Sequence, residues 1–111
     1  MNAGAAERRP RKALVLLANE PRAYRESIAQ VFRQLRPNLE AITEELEDRV
    51  LRLAPEMVIF SEATGVVRER VPVWVELYPG YGPESVVGVR GERSTVEEMQ
   101  LSDLLLVVDR T

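Results

Sequence analysis

Two stretches of the chain are apolar at every position, and each predicts a strand that is buried on both faces. They are residues 13–18 (Ala-Leu-Val-Leu-Leu-Ala) and residues 57–60 (Met-Val-Ile-Phe). Continuous apolar runs without polar alternation are typical of central strands in a parallel sheet. Residues 39–42 predict a third, shorter strand between the first two along the chain.

The segments between these predicted strands have helical periodicity. From residue 22 to residue 36, apolar side chains recur at helical spacing and predict one buried stripe. The members of this stripe are Tyr24, Ile28, Val31, Phe32 and Leu35. Pro21 suits the first helical turn, and Thr43 is a suitable N-cap for a second helix over residues 43–53. The alternation of strands and helices predicts a three-layer α/β fold with the strand order 2-1-3.

After Ser61 the pattern changes. Residues 62–70 are short and polar, and they predict a turn or a single helical turn instead of a full crossover helix. Residues 71–78 alternate between apolar and polar, and a dense Pro-Gly turn signal follows over residues 79–83. Together with the valines of residues 85–90, this pattern predicts an antiparallel β-hairpin that extends one edge of the sheet.

A last helix is predicted from residue 101, with Ser102 as its N-cap. Residues 12–111 therefore form one predicted α/β domain, with a parallel β-α-β-α-β half, a hairpin edge and a C-terminal helix. Residues 1–11 are basic and aperiodic, which predicts a disordered tail. No apolar run reaches the roughly 20 residues of a membrane span, and the N-terminus lacks a signal-peptide pattern, so we expect a cytoplasmic protein without membrane contact.

Composition narrows the possible chemistry. The chain of 111 residues has no cysteine and no histidine, and Lys12 is its only lysine. It therefore lacks thiolate chemistry, the commonest general base and the usual metal ligand. A formal net charge of −3 provides no basic footprint for nucleic acid. We expect a protein that is not an enzyme, has no catalytic residue and no metal site, and uses no cofactor.

The first half of the chain resembles the receiver domain of response regulators. Receiver domains open with an apolar strand that ends in an acidic pair, and their third strand ends in the aspartate that accepts a phosphoryl group. Residues 13–21 and 55–61 follow this pattern, with Glu20-Pro21 after the first strand and an Arg25-Glu26 pair in the next helix. The resemblance covers residues 12–61 and implies a receiver- or flavodoxin-like sheet.

The positions that would carry receiver chemistry hold other residues. The acidic pair falls on Ala18 and Asn19, and the phosphate acceptor falls on Ser61. Phosphoryl transfer needs a carboxylate and a divalent cation held by oxygen ligands. The resemblance is therefore to a degenerate receiver, and we expect a protein-interaction domain that works without phosphorylation and whose protein partner the sequence does not name.

A different interpretation is a binding site for a small ligand or a cation. Asn19, Glu20, Ser61 and Glu62 follow the first and third predicted strands, so they share the crevice at the carboxyl ends of the sheet. The alternative is that these side chains cap helices and face water.

Aromatic residues in the second half of the chain are candidates for a protein interface. They are Trp74, Tyr78 and Tyr81. Core packing of Trp74 and ordinary hairpin geometry around Tyr81 are the alternatives. Because the hairpin edge is exposed unless something covers it, we expect a homodimer through that edge or through the last helix.

Overall fold

The computed structural model describes residues 13–43, 52–61, 65–78 and 82–111, in which strands and helices follow one another closely. These elements are β1 (Ala13–Ala18), α1 (Arg22–Leu35), β2 (Leu39–Thr43), β3 (Met57–Phe60), α2 (Gly65–Arg70), β4 (Val73–Glu76), β5 (Glu84–Val89), β6 (Glu92–Glu97) and α3 (Leu101–Val108). The predicted α/β class is confirmed. The predicted tail over residues 1–11 lies outside the described residues, as does most of the predicted helix over 43–53, of which Arg52 and Leu53 are helical.

The six strands form one mixed sheet in the order β2-β1-β3-β4-β5-β6. Strands β1 to β4 pair in parallel, whereas β5 and β6 are antiparallel to their neighbours. The order 2-1-3 predicted for the first three strands is present. The two continuous apolar runs form β1 and β3 at the centre of the sheet, as expected for strands that are covered on both faces.

The connection between β3 and β4 differs from the prediction. These strands are parallel, and the helix α2 between them has six residues, where a turn or a single helical turn was predicted for residues 62–70. A crossover between parallel strands must carry the chain back along the length of the first strand, and because β3 has only four residues, the twelve residues 61–72 are enough. The predicted hairpin is antiparallel as expected, although its first strand, β4, also continues the parallel part of the sheet.

Apolar side chains pack on both faces of the sheet and make two cores. Val15 and Leu17 of β1 lie on the face covered by α1 and α3, where Phe32 and Leu104 join them. Leu16 of β1 lies on the opposite face, whose members also come from β3, β4 and α2. The alternation of β1 side chains between two filled faces gives three layers. No helix in the described part of the chain is long and apolar enough to cross a membrane.

Helix α1 is rotated relative to the predicted apolar stripe. Ile28 and Phe32 are buried as expected, but Tyr24 and Leu35 are exposed, and Arg25 is buried in their place. The small side chain of Ala29, fully buried, lets the helix approach the sheet along this register.

Helix α3 has a different N-cap from the predicted one. Gln100, and not Ser102, is the N-cap, and its backbone N–H donates to Asp103 Oδ2 at 2.9 Å. Asp103 also places a negative charge at the positive end of the helix dipole, which stabilises this start.

Candidate functional site

Three of the four predicted crevice residues meet at the carboxyl ends of β1 and β3. The register that pairs Ala18 with Phe60 brings Asn19 beside Ser61 one position later. The backbone N–H of Glu20 donates to Ser61 Oγ at 2.9 Å and ties the two strand ends together. Glu62, the fourth predicted member, lies outside the described residues.

Asn19 is the most unusual polar side chain at this edge. It is fully buried, at 0% exposure, and neither its amide nitrogen nor its amide oxygen has a hydrogen-bond partner. The alternation along β1 places Asn19 on the face that α1 and α3 cover. A buried amide without partners costs about 1–3 kcal/mol, so its presence calls for a physical explanation.

Arg25 is the site residue that sequence reasoning missed. It is only 2% exposed, and its Nη1 lies 3.4 Å from the backbone oxygen of Asn19, to which it donates. The same nitrogen lies 3.4 Å from Glu20 Oε1, although the Glu20 side chain is mostly exposed. The sequence did contain a sign of this burial. Arg25 lies three residues before Ile28 and four before Ala29, so the three residues share one side of α1, which is the buried side.

The electrostatics of this edge favour a hydrogen-bonding ligand over a cation. The buried charge beside Asn19 is the guanidinium of Arg25, and it opposes a metal ion at the same place. The described residues include no group of three or more acidic side chains that could hold a metal. Ser61 Oγ is engaged by the Glu20 N–H, and the chain has no histidine that could activate it.

Searches against protein-family models, curated proteins and solved structures each found no match to this chain. Its function is therefore inferred from the residues themselves.

Trp74 is buried in the core on the face of the sheet opposite α1 and α3. Its ring stacks on Phe60 with a centroid separation of 6.3 Å. The guanidinium carbons of Arg68 and Arg93 lie 5.7 and 5.6 Å from its centroid, within cation–π range. Trp74 is buried by its own chain. It therefore has the core position that was the alternative to a place in an interface.

A charged pair near Trp74 was also missed from the sequence. Glu76, the last residue of β4, is buried and accepts a hydrogen bond of 2.6 Å from Arg68 Nη2. The pair connects α2 to the carboxyl end of β4. It therefore holds the short crossover helix over the Trp74 ring.

Tyr78 is held between the end of β4 and the start of α3. Its backbone N–H donates to the buried Ser85 Oγ at 3.0 Å, and its hydroxyl donates to the backbone oxygen of Met99. Its φ of 49° lies in the left-handed region, which is uncommon for a side chain of this size. Tyr78 is half-buried, whereas Tyr81, its companion in the predicted interface, lies outside the described residues.

The stability of the protein should fall at alkaline pH because of Tyr78. Burial raises the pKa of Tyr78 above its ordinary value of 10.0, and nearby negative charges, including those of Glu98 and Asp103, raise it further. The folded state then releases this proton later than the unfolded state, so stability is retained below about pH 10 and lost as the pH rises above it. Chemical denaturation at a series of pH values checks this.

Tyr78→Phe is the control for this alkaline loss. It lacks the ionising group, so its free energy of unfolding should fall less steeply than that of the unmodified protein above about pH 10. Equal slopes in the two proteins would show that another group is responsible.

Proposed function

We propose that this chain is a phosphorylation-independent, receiver-like protein-interaction domain of the cytoplasm. The observation that carries the proposal is the hydrogen bond from the Glu20 N–H to Ser61 Oγ, which joins the segments that follow the adjacent parallel strands β1 and β3 and so brings the positions of Asn19 and Ser61 together. These are the positions at which the receiver pattern needs carboxylates. The strand order 2-1-3 and the central position of β1 and β3 support the same interpretation.

The charges around this edge support the loss of phosphorylation. Receiver chemistry brings a divalent cation to the strand ends, where anionic oxygen ligands hold it, and transfers a phosphoryl group to a carboxylate nucleophile at the same place. Ala18 supplies no ligand, Asn19 supplies a neutral amide, and the buried positive charge of Arg25 opposes the cation; Ser61 stands where the carboxylate nucleophile would be. The domain would act through the shape and polarity of its surface instead of through a reaction.

Two carboxylates placed at the strand ends should restore the binding of Mg²⁺. The unmodified protein should show no change in its amide NMR signals with Mg²⁺ and acetyl phosphate, or with Mg²⁺ and beryllofluoride. In the double variant Asn19→Asp, Ser61→Asp, amide signals near residues 19 and 61 should shift with Mg²⁺, because two carboxylate oxygens then face one another across adjacent strands.

The matched control is Asn38→Asp, which adds a carboxylate at an exposed turn away from the strand ends. It should leave the spectrum insensitive to Mg²⁺. A beryllofluoride response in the unmodified protein would contradict the proposal that the domain works without phosphorylation. A double variant that folds and ignores Mg²⁺ would contradict the receiver-like geometry.

A second candidate function, the binding of a small polar ligand, is favoured by one observation. The side-chain amide of Asn19 is buried without partners, and the backbone oxygen of the same residue accepts a hydrogen bond from the guanidinium of Arg25. A small oxyanion could accept hydrogen bonds from both groups and relieve the cost of the unpartnered amide.

Acetate and inorganic phosphate are suitable probes of this second candidate. Under it, amide signals around Asn19 and Arg25 should shift as either probe is added, and Asn19→Leu should abolish the shift. Glu20→Ala removes the carboxylate near Arg25 and should strengthen the response. Unchanged spectra with both probes would exclude oxyanion binding at this edge.

A further inference from the structure

Two arginines from separate elements meet over Trp74, the only tryptophan of the chain. The guanidinium carbons of Arg68 in α2 and Arg93 in β6 lie 5.7 and 5.6 Å from the centroid of its ring. Because both distances end at the same point, the two cations lie within about 11 Å of each other. A guanidinium that rests on an indole is fixed in position and keeps N–H groups for other partners.

The register of the sheet explains how Arg93 reaches the ring. Gly88 of β5 pairs with Trp74 on one side and with Arg93 on the other, so the three residues form a row on one face of the sheet. Since Gly88 has no side chain, the indole can lean across it toward β6. The meeting of Arg93 with Trp74 is therefore a consequence of strand pairing.

Arg68 is held over the ring by a buried carboxylate. Its Nη2 donates a hydrogen bond of 2.6 Å to Glu76 Oε2 at the end of β4. Glu76 neutralises one of the two arginine charges, so the cluster of Arg68, Arg93 and Glu76 keeps a formal charge of +1. The hydrogen bond also leaves the other N–H groups of Arg68 without a carboxylate.

Arg93 has no ion pair within the part of the chain that the structure describes. It differs in this from Arg22, for example, which pairs with Glu26 in α1. The carboxylates on the same face of the hairpin are Glu84 and Glu97, which pair with each other at its open end. Glu97 is four residues from Arg93, about 13 Å along the strand. The guanidinium of Arg93 is therefore a fixed cation whose charge no neighbouring carboxylate balances.

The arrangement of these donors favours a phosphate group over a carboxylate. One guanidinium fork already occupies both oxygens of a carboxylate, whereas a phosphate group presents at least three acceptor oxygens and accepts from two forks at once. Thr95, two residues beyond Arg93 and exposed on the same face, adds a hydroxyl donor. A bound phosphate would balance the surplus positive charge.

We propose that Arg68 and Arg93 form a binding site for a phosphate group, with Trp74 as the platform that positions them. The ligand is inorganic phosphate or a phosphate monoester, which share this chemistry. The site lies on the face of the sheet opposite the one where Asn19 and Arg25 are buried. It is therefore separate from the strand-end edge and does not rest on the proposed function.

Trp74 fluorescence tests the site, because no other tryptophan contributes to the emission. Inorganic phosphate and O-phosphoserine, each titrated at constant ionic strength, should both or singly give a saturable change in the emission, and the stronger of the two identifies the source of the phosphate group. Acetate and sodium chloride should give no saturable change. A response to acetate equal to that of phosphate, or no saturable response to either phosphate probe, would overturn the proposal, and the arginines would then only shield the ring from water.

Arginine variants test which side chains bind. Arg93→Gln should raise the dissociation constant for phosphate by roughly tenfold or more, because it removes one charged fork. Arg93→Lys keeps the charge without the fork and should weaken binding less than Arg93→Gln. The matched control is Arg70→Gln, at an exposed position at the end of α2, which should leave the dissociation constant unchanged. Equal weakening by Arg70→Gln and Arg93→Gln would show a response to overall charge and overturn the site.

Amide NMR signals separate this site from oxyanion binding at the strand ends. With phosphate, the signals of Arg68 and Arg93 should shift both in the unmodified protein and in Asn19→Leu. Shifts confined to the surroundings of Asn19 and Arg25 would overturn the site over Trp74 and support the second candidate function instead.

Discussion

Gly88→Ala should destabilise the protein by about 3 kcal/mol or more, a large part of the roughly 5–15 kcal/mol that stabilises a small domain. Strand pairing sets Gly88 directly between Trp74 of β4 and Arg93 of β6. A Cβ atom at Gly88 would lie 2.1 Å from Trp74 Cε2 and 2.4 Å from Cζ2 and Nε1. Side chains do not approach so closely, so the indole ring would have to leave its place.

Displacing the Trp74 ring would disrupt several contacts at once. The ring stacks on Phe60 and lies under the guanidinium groups of Arg68 and Arg93. It is also a large member of the core on that face. The loss of these contacts adds to the cost of overpacking, which by itself is about 1–3 kcal/mol.

Urea denaturation followed by far-UV circular dichroism measures this loss. Gly91→Ala is the comparison: nothing lies within 4 Å of a Cβ at Gly91, and only its φ of +90° opposes the substitution. We expect it to cost about 1–2 kcal/mol. In a Trp74→Leu background, Gly88→Ala should cost much less, and an equal cost in both backgrounds would show that the ring contact is not the cause.

Asn19→Leu should stabilise the protein by about 1–3 kcal/mol. Leucine has the same branching as asparagine and no polar atoms, so the substitution removes a buried amide without partners and keeps a side chain of similar shape. The backbone oxygen of Asn19, which accepts from Arg25, is unaffected by the change. Urea denaturation of the two proteins provides the comparison.

Asn38→Leu is the control for the Asn19 substitution. Asn38 is exposed in the turn between α1 and β2, so its replacement should change the free energy of unfolding by less than about 0.5 kcal/mol. If Asn19→Leu instead destabilises the protein by about 1 kcal/mol or more, on the scale of one lost hydrogen bond, the amide has a partner in solution, such as an ordered water. A stabilised Asn19→Leu variant would mean that the chain retains this asparagine at a cost to its stability, as binding sites often do.

Much of the architecture could be predicted from the residues alone. Residues 13–18 and 57–60 are apolar without a break, which is sufficient to predict central strands, since only a strand covered on both faces needs such a run. The carboxyl ends of parallel strands meet at one edge, and this geometry alone predicts that Asn19, Glu20 and Ser61 lie together. The Pro-Gly turn signal over residues 79–83 is likewise visible in the sequence, and it predicts where the chain reverses direction to begin the antiparallel part of the sheet.

Other features depended on contacts between residues that are distant in sequence. Two overlapping sets of residues on α1 have helical spacing, and the more hydrophobic set includes Tyr24 and Leu35. The structure buries Arg25 and Ala29 instead, because a small residue fits against the sheet and an arginine can reach polar groups at the strand ends. Periodicity describes each helix separately, so it does not reveal which side of a helix meets the sheet.

The sequence by itself determined the class of fold, the central strands and the edge at which a site could form, because these follow from local apolar patterns and from the geometry of parallel strands. Only the tertiary structure decided that α1 and α3 lie side by side, that Gly88 lies against Trp74, and that Asn19 is buried beside Arg25. Each of these is a contact between elements, determined by how side chains fill the space between layers and not by the pattern within any one segment.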